Sequence, residues 1–238
     1  MFLRFTKSFL RIVLPVFVIN LLKKIIIFFF PFLIKQDIID SQKELTKSKI
    51  RIRTEQELFL QGLGLAEIKE IFNNLNVSYF VSGGTLLGVI REKDFIKWDW
   101  DVGIDTKLEE IYPVKNKFLS ILKQSNFRIE SYCPEKTNFK INAVKYNTRY
   151  EIAGFIKVGE NRYRKAYNYP DSFVSKSSEI VLRGEKYKTF ISPEEYLKWL
   201  YGDWKTPVKT LKKENYVTKQ SRTNTWIFLF VKIISLLK

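Results

Sequence analysis

The stretch Val77-Ser78-Tyr79-Phe80-Val81-Ser82-Gly83-Gly84-Thr85-Leu86-Leu87-Gly88-Val89-Ile90-Arg91 decides how this chain folds. The short, β-rich apolar run from Val77 to Val81 predicts a buried strand, and the two glycines after it predict a turn. The apolar periodicity from Thr85 to Arg91 then predicts a short helix. A strand that enters a helix through glycines leaves backbone N–H groups pointing outward, and the helix dipole adds to their attraction for an anion. This junction is therefore a candidate phosphate-binding site.

A pair of carboxylates follows in the stretch Trp98-Asp99-Trp100-Asp101-Val102-Gly103-Ile104-Asp105, whose alternation predicts a strand. On a strand, Asp99 and Asp101 face the same side, with Cα atoms roughly 6.6 Å apart. Two such carboxylates repel each other unless a cation lies between them, and oxygen ligands favour Mg²⁺ or Mn²⁺. Each motif alone is common in turns or on protein surfaces. A phosphate cradle beside an acid pair, however, is typical of metal-dependent phosphoryl transfer.

These two stretches resemble the motif of the LicD/fukutin-type phosphotransferases, a family of the nucleotidyltransferase (polymerase-β-like) superfamily. The resemblance lies in Gly-Gly-Thr-Leu-Leu-Gly-Val-Ile-Arg at 83–91, in Phe95-Ile96 and in Trp98-Asp99-x-Asp101. A looser match at Pro193, Tyr201-Gly202-Asp203-Trp204 and Pro207 extends it to roughly residues 63–208. Members of the family move a phospho-substituted alcohol, such as phosphocholine or ribitol phosphate, from a CDP-activated donor onto a glycan.

The resemblance implies a role for each residue that matches the motif. The donor phosphates would bind residues of the strand–helix junction, namely Ser82, Gly83, Gly84, Thr85 and Arg91. A Mg²⁺ or Mn²⁺ ion would bind the catalytic carboxylates of Asp99 and Asp101. Two positions depart from the family pattern, because Lys97 stands where proline is favoured and Gly103 stands where a third acidic residue is usual.

The third carboxylate of the site has two candidates. Glu151, flanked by apolar residues, would lie on a neighbouring strand as the third acid of the superfamily does, and we expect it to be catalytic and metal-binding. A solvent-facing strand residue is an equally good interpretation of Glu151. Asp105 shares the parity of Asp99 and Asp101, but it lies about 13 Å from Asp101 along an extended strand, which is far for one shared ion.

The composition limits the chemistry and the partners of the chain. Its 238 residues carry 41 Lys+Arg against 25 Asp+Glu, a formal net charge of +16, which favours anionic partners. Nucleic acid also fits this charge, although the motifs argue against it as the partner. The chain has no histidine, which excludes a Ser-His-Asp triad and a His-ligated zinc site. The single Cys133 excludes an intrachain disulfide.

Residues 1–35 are strongly apolar but interrupted. The apolar runs 12–22 and 25–34 are both shorter than the roughly 20 residues that a spanning helix needs. Joining them places Lys23 and Lys24 near the middle of the membrane, at a cost of about 2.5–3.5 kcal/mol each. We expect this segment to make the protein membrane-associated on an anionic surface, either lying in the interface or spanning once. A buried helix packed on the domain is the alternative.

The rest of the chain divides by composition. Residues 36–61 predict a charged helical linker, residues 62–210 a catalytic domain, and residues 211–238 a basic tail whose apolar run 226–237 predicts a second interfacial anchor helix. Apolar periodicity within the domain predicts helices at 63–75, 112–124 and 193–200, and strands at 127–132, 139–146, 150–158, 163–167, 180–183 and 187–191. This order predicts an α+β fold with a mixed or largely antiparallel sheet flanked by helices, and the resemblance implies the nucleotidyltransferase type.

Two groups of aromatic residues have open interpretations. Residues 161–168 interleave Arg162 and Arg164 with tyrosines, which is typical of nucleotide binding or, more commonly, of an edge strand with solvated cations. Tyr201 and Trp204 follow the helix predicted at 193–200, and they suit a pocket wall or simple packing equally well.

From these features we expect a metal-dependent phosphotransferase. It would move phosphocholine, ribitol phosphate or glycerol phosphate from a CDP-activated donor to a glycan or glycolipid acceptor at a membrane, as the resemblance implies. One alternative is a nucleotidyltransferase that acts on RNA or a small molecule. The other is a catalytically inactive, membrane-bound relative that binds glycans, an alternative that Gly103 keeps open.

Overall fold

The computed structural model describes residues 52–165, 167–208, 217–223 and 225–237. The predicted membrane-associating segment 1–35 lies outside these residues, as do most of the predicted linker 36–61 and part of the basic tail. Among the described residues, no helix combines the length and the apolar character that crossing a bilayer requires.

Helices and strands alternate at first, and strands then dominate the middle of the domain. The helices are α1 (Glu55–Asn74), α2 (Gly83–Glu92), α3 (Leu108–Gln124), α4 (Pro193–Tyr201) and α5 (Thr225–Leu237). The strands are β1 (Tyr79–Ser82), β2 (Asp101–Lys107), β3 (Arg128–Cys133), β4 (Lys140–Lys145), β5 (Thr148–Val158), β6 (Asn161–Arg164), β7 (Tyr167–Pro170), β8 (Ser177–Leu182) and β9 (Glu185–Phe190). Short 3₁₀ helices at Lys136–Asn138 and Asp171–Val174 connect β3 to β4 and β7 to β8.

Seven strands form one sheet within the described residues, along the path β1-β2-β5-β4-β3 with β6 paired to β5 and β7 to β6. β2 and β5 run parallel, whereas the other neighbours run antiparallel. β8 and β9 form a separate hairpin, which is tied to β1 by a 2.8 Å hydrogen bond from the Thr189 hydroxyl to the Val81 carbonyl. The predicted mixed α+β fold, with a mostly antiparallel sheet and flanking helices, is confirmed.

Helix α1 begins at Glu55, earlier than the start predicted at residue 63, because Thr54 caps it. The Thr54 N–H donates to Glu57 Oε2 at 2.8 Å, and the Glu57 N–H donates to the Thr54 hydroxyl at 3.2 Å. Such a reciprocal capping box satisfies two amides that would otherwise lack acceptors at a helix start. The end of the segment predicted as a linker is therefore part of the folded domain.

The helices that flank the sheet are fixed by buried aromatic side chains. α3 contacts β2, β3 and β5, and it also contacts α1. The rings of Phe72 on α1 and Phe118 on α3 lie 4.8 Å apart, and both side chains are fully buried. Burying a phenylalanine side chain contributes about 1.5–3 kcal/mol, so this contact holds the two helices together on the sheet.

The strand predicted at 163–167 is wrong as a single element. The chain turns at Lys165, which adopts a left-handed φ of 46°, and the segment is divided between β6 and β7. This tight return buries one face of β6, where Arg162 and Arg164 lie, under the neighbouring elements. The hairpin thereby directs two arginines inward.

Helix α5 coincides with the apolar run in which we predicted an anchor helix. Val231 is buried against the core of the domain, whereas Ile233 keeps 60% of its surface exposed. The helix is thus docked on the domain by at least one side chain, and its contact with a membrane stays a prediction.

Candidate active site

The junction between β1 and α2 joins a strand to a helix as predicted, with Ser82 extended, but the two glycines form the first turn of the helix rather than a separate turn before it. Gly83 has a positive φ of 57°, a conformation that glycine adopts without steric cost. The Gly83 N–H acts against the rise that burial causes in the pKa of Tyr196. The next amides, of Gly84 and Thr85, also belong to the first turn, where no acceptor exists within the helix. They are the donors that this junction offers to an anion.

The acid pair lies directly against this junction. A Cβ built on Gly84 would overlap Oδ2 of Asp99, so the absence of a side chain at Gly84 allows the carboxylate to approach the helix start. The alternation predicted that Asp99 lies on a strand, but the observed strand β2 begins only at Asp101. The Asp99 N–H instead donates to the Ile96 carbonyl at 2.9 Å and closes a turn. The structure therefore brings the predicted residues together by a turn rather than by strand alternation.

The carboxyl groups of Asp99 and Asp101 are hydrogen-bonded to each other. Burial, followed by this hydrogen bond and the Asp101 charge, raises the pKa of Asp99 well above its usual value. The Asp101 N–H and the charge of Arg53 act in the opposite direction. Two carboxyl groups in contact must share a proton or a cation. The pair therefore fits a divalent ion such as Mg²⁺ or Mn²⁺, for which carboxylate oxygens are the preferred ligands.

Gly103 occupies the position where a third acidic residue was expected from the resemblance. Its N–H donates to the Thr85 hydroxyl at 3.0 Å. A Cβ at this position would lie 3.0 Å from the Ser82 carbonyl oxygen and 3.2 Å from the Ser82 hydroxyl. Both distances are tighter than ordinary contacts, so β1 leaves little room for any side chain at residue 103.

Glu151 lies on β5 directly opposite Gly103 on β2. Its Oε2 is 2.5 Å from Lys140 Nζ, and its Oε1 accepts a 3.2 Å hydrogen bond from Arg164. In the part of the chain that the structure describes, no three His, Cys, Asp or Glu side chains are grouped to hold a metal ion. Glu151 therefore does not complete the acid pair into a three-carboxylate cluster. Its role as the third ligand stays a prediction.

Asp105, the other candidate for a third acid, is 7% exposed and accepts a 2.9 Å hydrogen bond from the Ser82 hydroxyl. Burial raises the pKa of Asp105 to about 7, and the Glu151 charge adds to the rise. The Arg164 charge and the Ser82 hydroxyl act in the opposite direction. Asp105 is thus a buried acid that titrates near neutrality.

Arg91, predicted to bind phosphate, already has protein partners. Its Nη2 donates to Glu92 at 2.8 Å, and its Nη1 donates to the Trp204 carbonyl at 3.3 Å. The second contact joins the end of α2 to the loop after α4. Contact between Arg91 and a phosphate stays a prediction.

The interpretation of Arg162 and Arg164 as solvated cations is wrong, because they are only 3% and 8% exposed. Arg162 is held by Glu109, Asp171 and the Phe155 carbonyl, which makes it a structural residue. Arg164 instead lines the cavity described below, beside Glu151. Alternation along the strand was the signal for this shared face, but burial of that face could not be predicted locally.

A cavity of about 690 Å³ contains all the charged groups of the site. Its lining includes Ser82, Gly83, Gly84, Arg91, Asp99, Asp101, Asp105, Glu151 and Arg164. Of the predicted site residues, only Thr85 does not line it. The Thr85 hydroxyl instead accepts the hydrogen bond from the Gly103 N–H. Its volume falls within the usual range of small-molecule sites, roughly 300–1,000 Å³.

Aromatic side chains also line this cavity. They include Trp98, Trp100, Tyr167, Trp199, Tyr201 and Trp204. Tyr201 and Trp204 therefore belong to a pocket wall, one of their two interpretations, whereas the part played by Trp199 was missed. The wall is braced by hydrogen bonds from Trp199 Nε1 to the Asn168 carbonyl at 3.0 Å and from the Thr218 N–H to the Leu200 carbonyl at 2.9 Å. Planar rings can stack on such side chains, and the acids and amides of the same cavity can act on charged groups.

Comparisons with known proteins give one family and several distant structures. The family model described as LicD/FKTN/FKRP, nucleotidyltransferase domain, matches residues 76–207. The lincomycin-bound lincosamide antibiotic adenylyltransferase LnuA is 19% identical over 62% of this chain and 85% of its own, with a TM-score of 0.40. The antibiotic-resistance factor ANT(2'')-Ia in solution is 14% identical over 66% of this chain and 79% of its own, with a TM-score of 0.46. No curated protein matches the chain.

Proposed function

The chain belongs to the LicD/FKTN/FKRP family of nucleotidyltransferase domains, and on this basis we propose that it is a metal-dependent phosphotransferase. The group transferred is a phospho-alcohol of the phosphocholine, ribitol phosphate or glycerol phosphate type. The donor is the CDP-activated alcohol, and the acceptor is a hydroxyl of a glycan or glycolipid at a membrane.

One contact carries this proposal: the Asp99 carboxylate rests on Gly84 at the start of α2 while it is hydrogen-bonded to Asp101. An acid pair and a set of helix N-terminal amides thus face the same cavity. The amides suit a phosphate, and the acids suit the cation that accompanies a diphosphate in solution. A metal–diphosphate ligand would engage both groups at once.

Each group of cavity residues has its own role in such a transfer. The Gly84 and Thr85 amides, with Arg91, hold and orient the donor diphosphate. Aromatic side chains such as Trp204 and Tyr201 exclude water from the donor and give its base a stacking surface. Asp101 accepts the proton of the attacking hydroxyl, because both oxygens of Glu151 already face cations.

Asp99 and Asp101 would hold the Mg²⁺ or Mn²⁺ ion, with Glu151 or Asp105 as a further ligand. When bound, the ion neutralises the charge that develops on the phosphoryl oxygens and on the leaving nucleoside monophosphate. For Glu151 to join, it would exchange its contacts with Lys140 and Arg164 for the ion.

A membrane location would suit a lipid-linked acceptor. The apolar segment 1–35 carries basic residues, and the chain as a whole has a net charge of +16. We propose that this segment attaches the protein to an anionic membrane, as a peripheral or single-pass anchor. Deleting residues 1–35 and assaying pelleting with membranes tests the anchor; full pelleting of the shortened protein would refute it.

A donor screen tests the reaction itself. The full chain is incubated with Mg²⁺ and CDP-choline, CDP-ribitol, CDP-glycerol or CTP, and release of CMP or pyrophosphate is measured. We expect CMP from one CDP-alcohol, reduced at least about 100-fold in Asp101→Asn. The exposed Glu160→Gln is the matched control that should leave the rate unchanged. Pyrophosphate from CTP alone would favour a nucleotidyltransferase acting on RNA or a small molecule instead.

An inactive glycan-binding relative is the second candidate, and two observations favour it. Residue 103 has no acid and little room for one, and Glu151 is engaged by two cations. Such a protein would release no CMP from any donor. It would also bind anionic glycans equally well after Asp99→Ala or Asp101→Ala.

A further inference from the structure

Arg53 is a buried arginine that lies outside the family-matched residues 76–207 and outside the site predicted from sequence. It precedes α1 in the chain, within the segment predicted as a charged linker, yet only 5% of its surface is exposed. Long charged side chains are almost never buried to this extent unless they are paired or hydrogen-bonded. Its partners therefore indicate what it does.

Two bonds from Arg53 reach the segment that carries the acid pair, Lys97–Asp101, which we call the acid loop. The Arg53 backbone N–H donates to the Lys97 carbonyl at 2.7 Å. Its Nη2 donates to the Trp100 carbonyl at 3.2 Å. These two carbonyls lie on either side of Asp99, so one residue holds the backbone before and after this acid.

The same guanidinium also reaches the start of β5, the strand that carries Glu151. Nη1 donates to the Thr148 hydroxyl at 2.8 Å, and Nη2 donates to the Asn147 carbonyl at 2.9 Å. The acid loop and β5 are further joined by the Arg149 N–H, which donates to the Trp100 carbonyl at 3.3 Å. Arg53 thus connects the acid loop, which lines the cavity, to the start of a distant strand whose Glu151 also lines it.

Arg53 is itself held in place by α1. The capping box of Thr54 and Glu57 fixes the backbone next to it. The first apolar residue of α1, Leu58, is fully buried in the core. A planar guanidinium anchored in this way can donate in several fixed directions at once, which a lysine ammonium at the end of a flexible stem does not reproduce.

We propose that Arg53 is a positioning residue that holds the acid loop against the start of β5, so that the Asp99–Asp101 pair keeps one geometry opposite Gly84. It touches neither substrate nor ion. Its metal-binding consequence rests on the proposed function, whereas its effect on the acid loop does not. Partners that orient metal ligands in this way typically affect metal affinity by about 10–100-fold when removed.

Arg183 is a matched arginine that lacks this role. It donates to both oxygens of Asp94, at 2.7 and 2.5 Å, and to Glu55 at 3.3 Å, with 17% of its side chain exposed. It thereby ties the same helix start to the loop after α2 without contacting the acid loop. A general loss of stability should follow from removing either arginine, but a loosened acid loop should follow only from removing Arg53.

The test uses the full chain as wild type, Arg53→Ala, Arg53→Lys, Arg183→Ala and Asp101→Ala. Hydrogen exchange measured by mass spectrometry reports on the peptides that cover residues 97–101. Electron paramagnetic resonance of free Mn²⁺ gives the affinity for the ion. Melting temperatures separate local effects from general destabilisation. Millimolar guanidinium added to Arg53→Ala tests chemical rescue, and the same addition to Arg183→Ala is its control.

We expect Arg53→Ala to speed exchange in the acid loop about tenfold and to weaken Mn²⁺ binding about 10–100-fold, with partial recovery by guanidinium or in Arg53→Lys. Arg183→Ala should keep both values within about twofold of wild type. If Arg53→Ala does not fold, Arg53→Lys tests the proposal instead. A single ammonium cannot replace all the hydrogen bonds of the guanidinium, so exchange in the acid loop should still be faster than in wild type. Exchange in the acid loop as slow in the folded Arg53 variant as in wild type would overturn the inference. Wild type that binds Mn²⁺ no better than Asp101→Ala would instead refute the proposed function.

Discussion

The Ser82 hydroxyl donates a 2.9 Å hydrogen bond to Oδ1 of Asp105, and both residues line the cavity. This bond links the phosphate-binding junction to a buried acid that was expected to be a distant alternative ligand. Because burial raises the pKa of Asp105 to about 7, the carboxyl group is partly protonated at neutral pH. The stability of the domain therefore depends on pH at this residue.

Replacing Asp105 by asparagine should remove this dependence of stability on pH. In the unfolded chain the Asp105 carboxyl ionises near its ordinary pKa of 3.8, but in the folded protein it keeps its proton up to about pH 7. The wild type therefore loses stability as pH rises through this window, and the loss is complete above it. The free energy of unfolding of Asp105→Asn minus that of wild type should rise across the window, by about 4 kcal/mol at most, and then level off. Urea unfolding at a series of pH values measures this difference. A difference that is flat with pH would contradict the raised pKa.

Gly84→Ala should disable the site without unfolding the protein. The new Cβ would overlap Asp99 Oδ2, so the carboxylate must leave the helix start and the hydrogen-bonded pair must separate. We expect Mn²⁺ affinity to fall by about tenfold or more. The control is Gly62→Ala in α1, where the nearest atom to a Cβ is 3.6 Å away. Equal Mn²⁺ affinities of Gly84→Ala and wild type would show that Asp99 does not need this approach.

Gly64→Ala should destabilise the fold, although Gly62→Ala in the same helix should not. A Cβ at Gly64 would overlap the hydroxyl of Tyr150, which is fully buried and donates a 3.0 Å hydrogen bond to the Gln61 carbonyl. Overpacking of a core typically costs about 1–3 kcal/mol. Gly62→Ala should instead gain up to about 1 kcal/mol from helix propensity. Thermal unfolding of both variants gives the comparison, and an unchanged melting temperature for Gly64→Ala would contradict the packing.

Gly103→Asp, which adds the acid usual in the family, should not create a metal ligand. The Ser82 carbonyl oxygen lies 3.0 Å from a Cβ at this position and belongs to the backbone of β1, so it cannot move aside easily. We expect a loss of about 1–3 kcal/mol in stability, shared by Gly103→Ala, and no gain in Mn²⁺ affinity. Calorimetric titration and urea unfolding measure the two quantities. Tighter Mn²⁺ binding by Gly103→Asp would mean that β1 yields at Ser82.

The local patterns at Ser82–Thr85 and Asp99–Asp101 were enough to predict that amides and acids meet. They could not predict how, since Asp99 lies in a turn closed by its N–H bond to Ile96 rather than on the strand. The predicted strand correctly placed Asp99 close to Asp101, but it gave Asp99 the wrong backbone conformation. Short-range spacing constrains which side chains can be close, whereas the turn that brings them together depends on the loop before β2.

Arg164 and Arg53 could not be assigned from the sequence for a different reason. The burial of Arg164 depends on the return of β7 beside β6. Arg53 hydrogen-bonds with Asn147 and Thr148, some 94 and 95 residues further along the chain. A basic residue in a polar segment looks solvated until its distant partners are known. Tertiary contacts of this kind determine whether a basic side chain is buried, and local composition does not predict them.

The parallel pairing of β2 with β5 has a consequence for synthesis of the protein on the ribosome. Helix α3 and strands β3 and β4 lie between the two paired strands, so the pairing that sets Gly103 opposite Glu151 closes a long loop. Contacts of this kind form late, because the entropy of loop closure must be overcome first. A nascent chain that has not yet released β5 lacks Glu151 and Phe155, which this strand contributes to the lining of the cavity. The complete cavity therefore forms only after β5 has been synthesised.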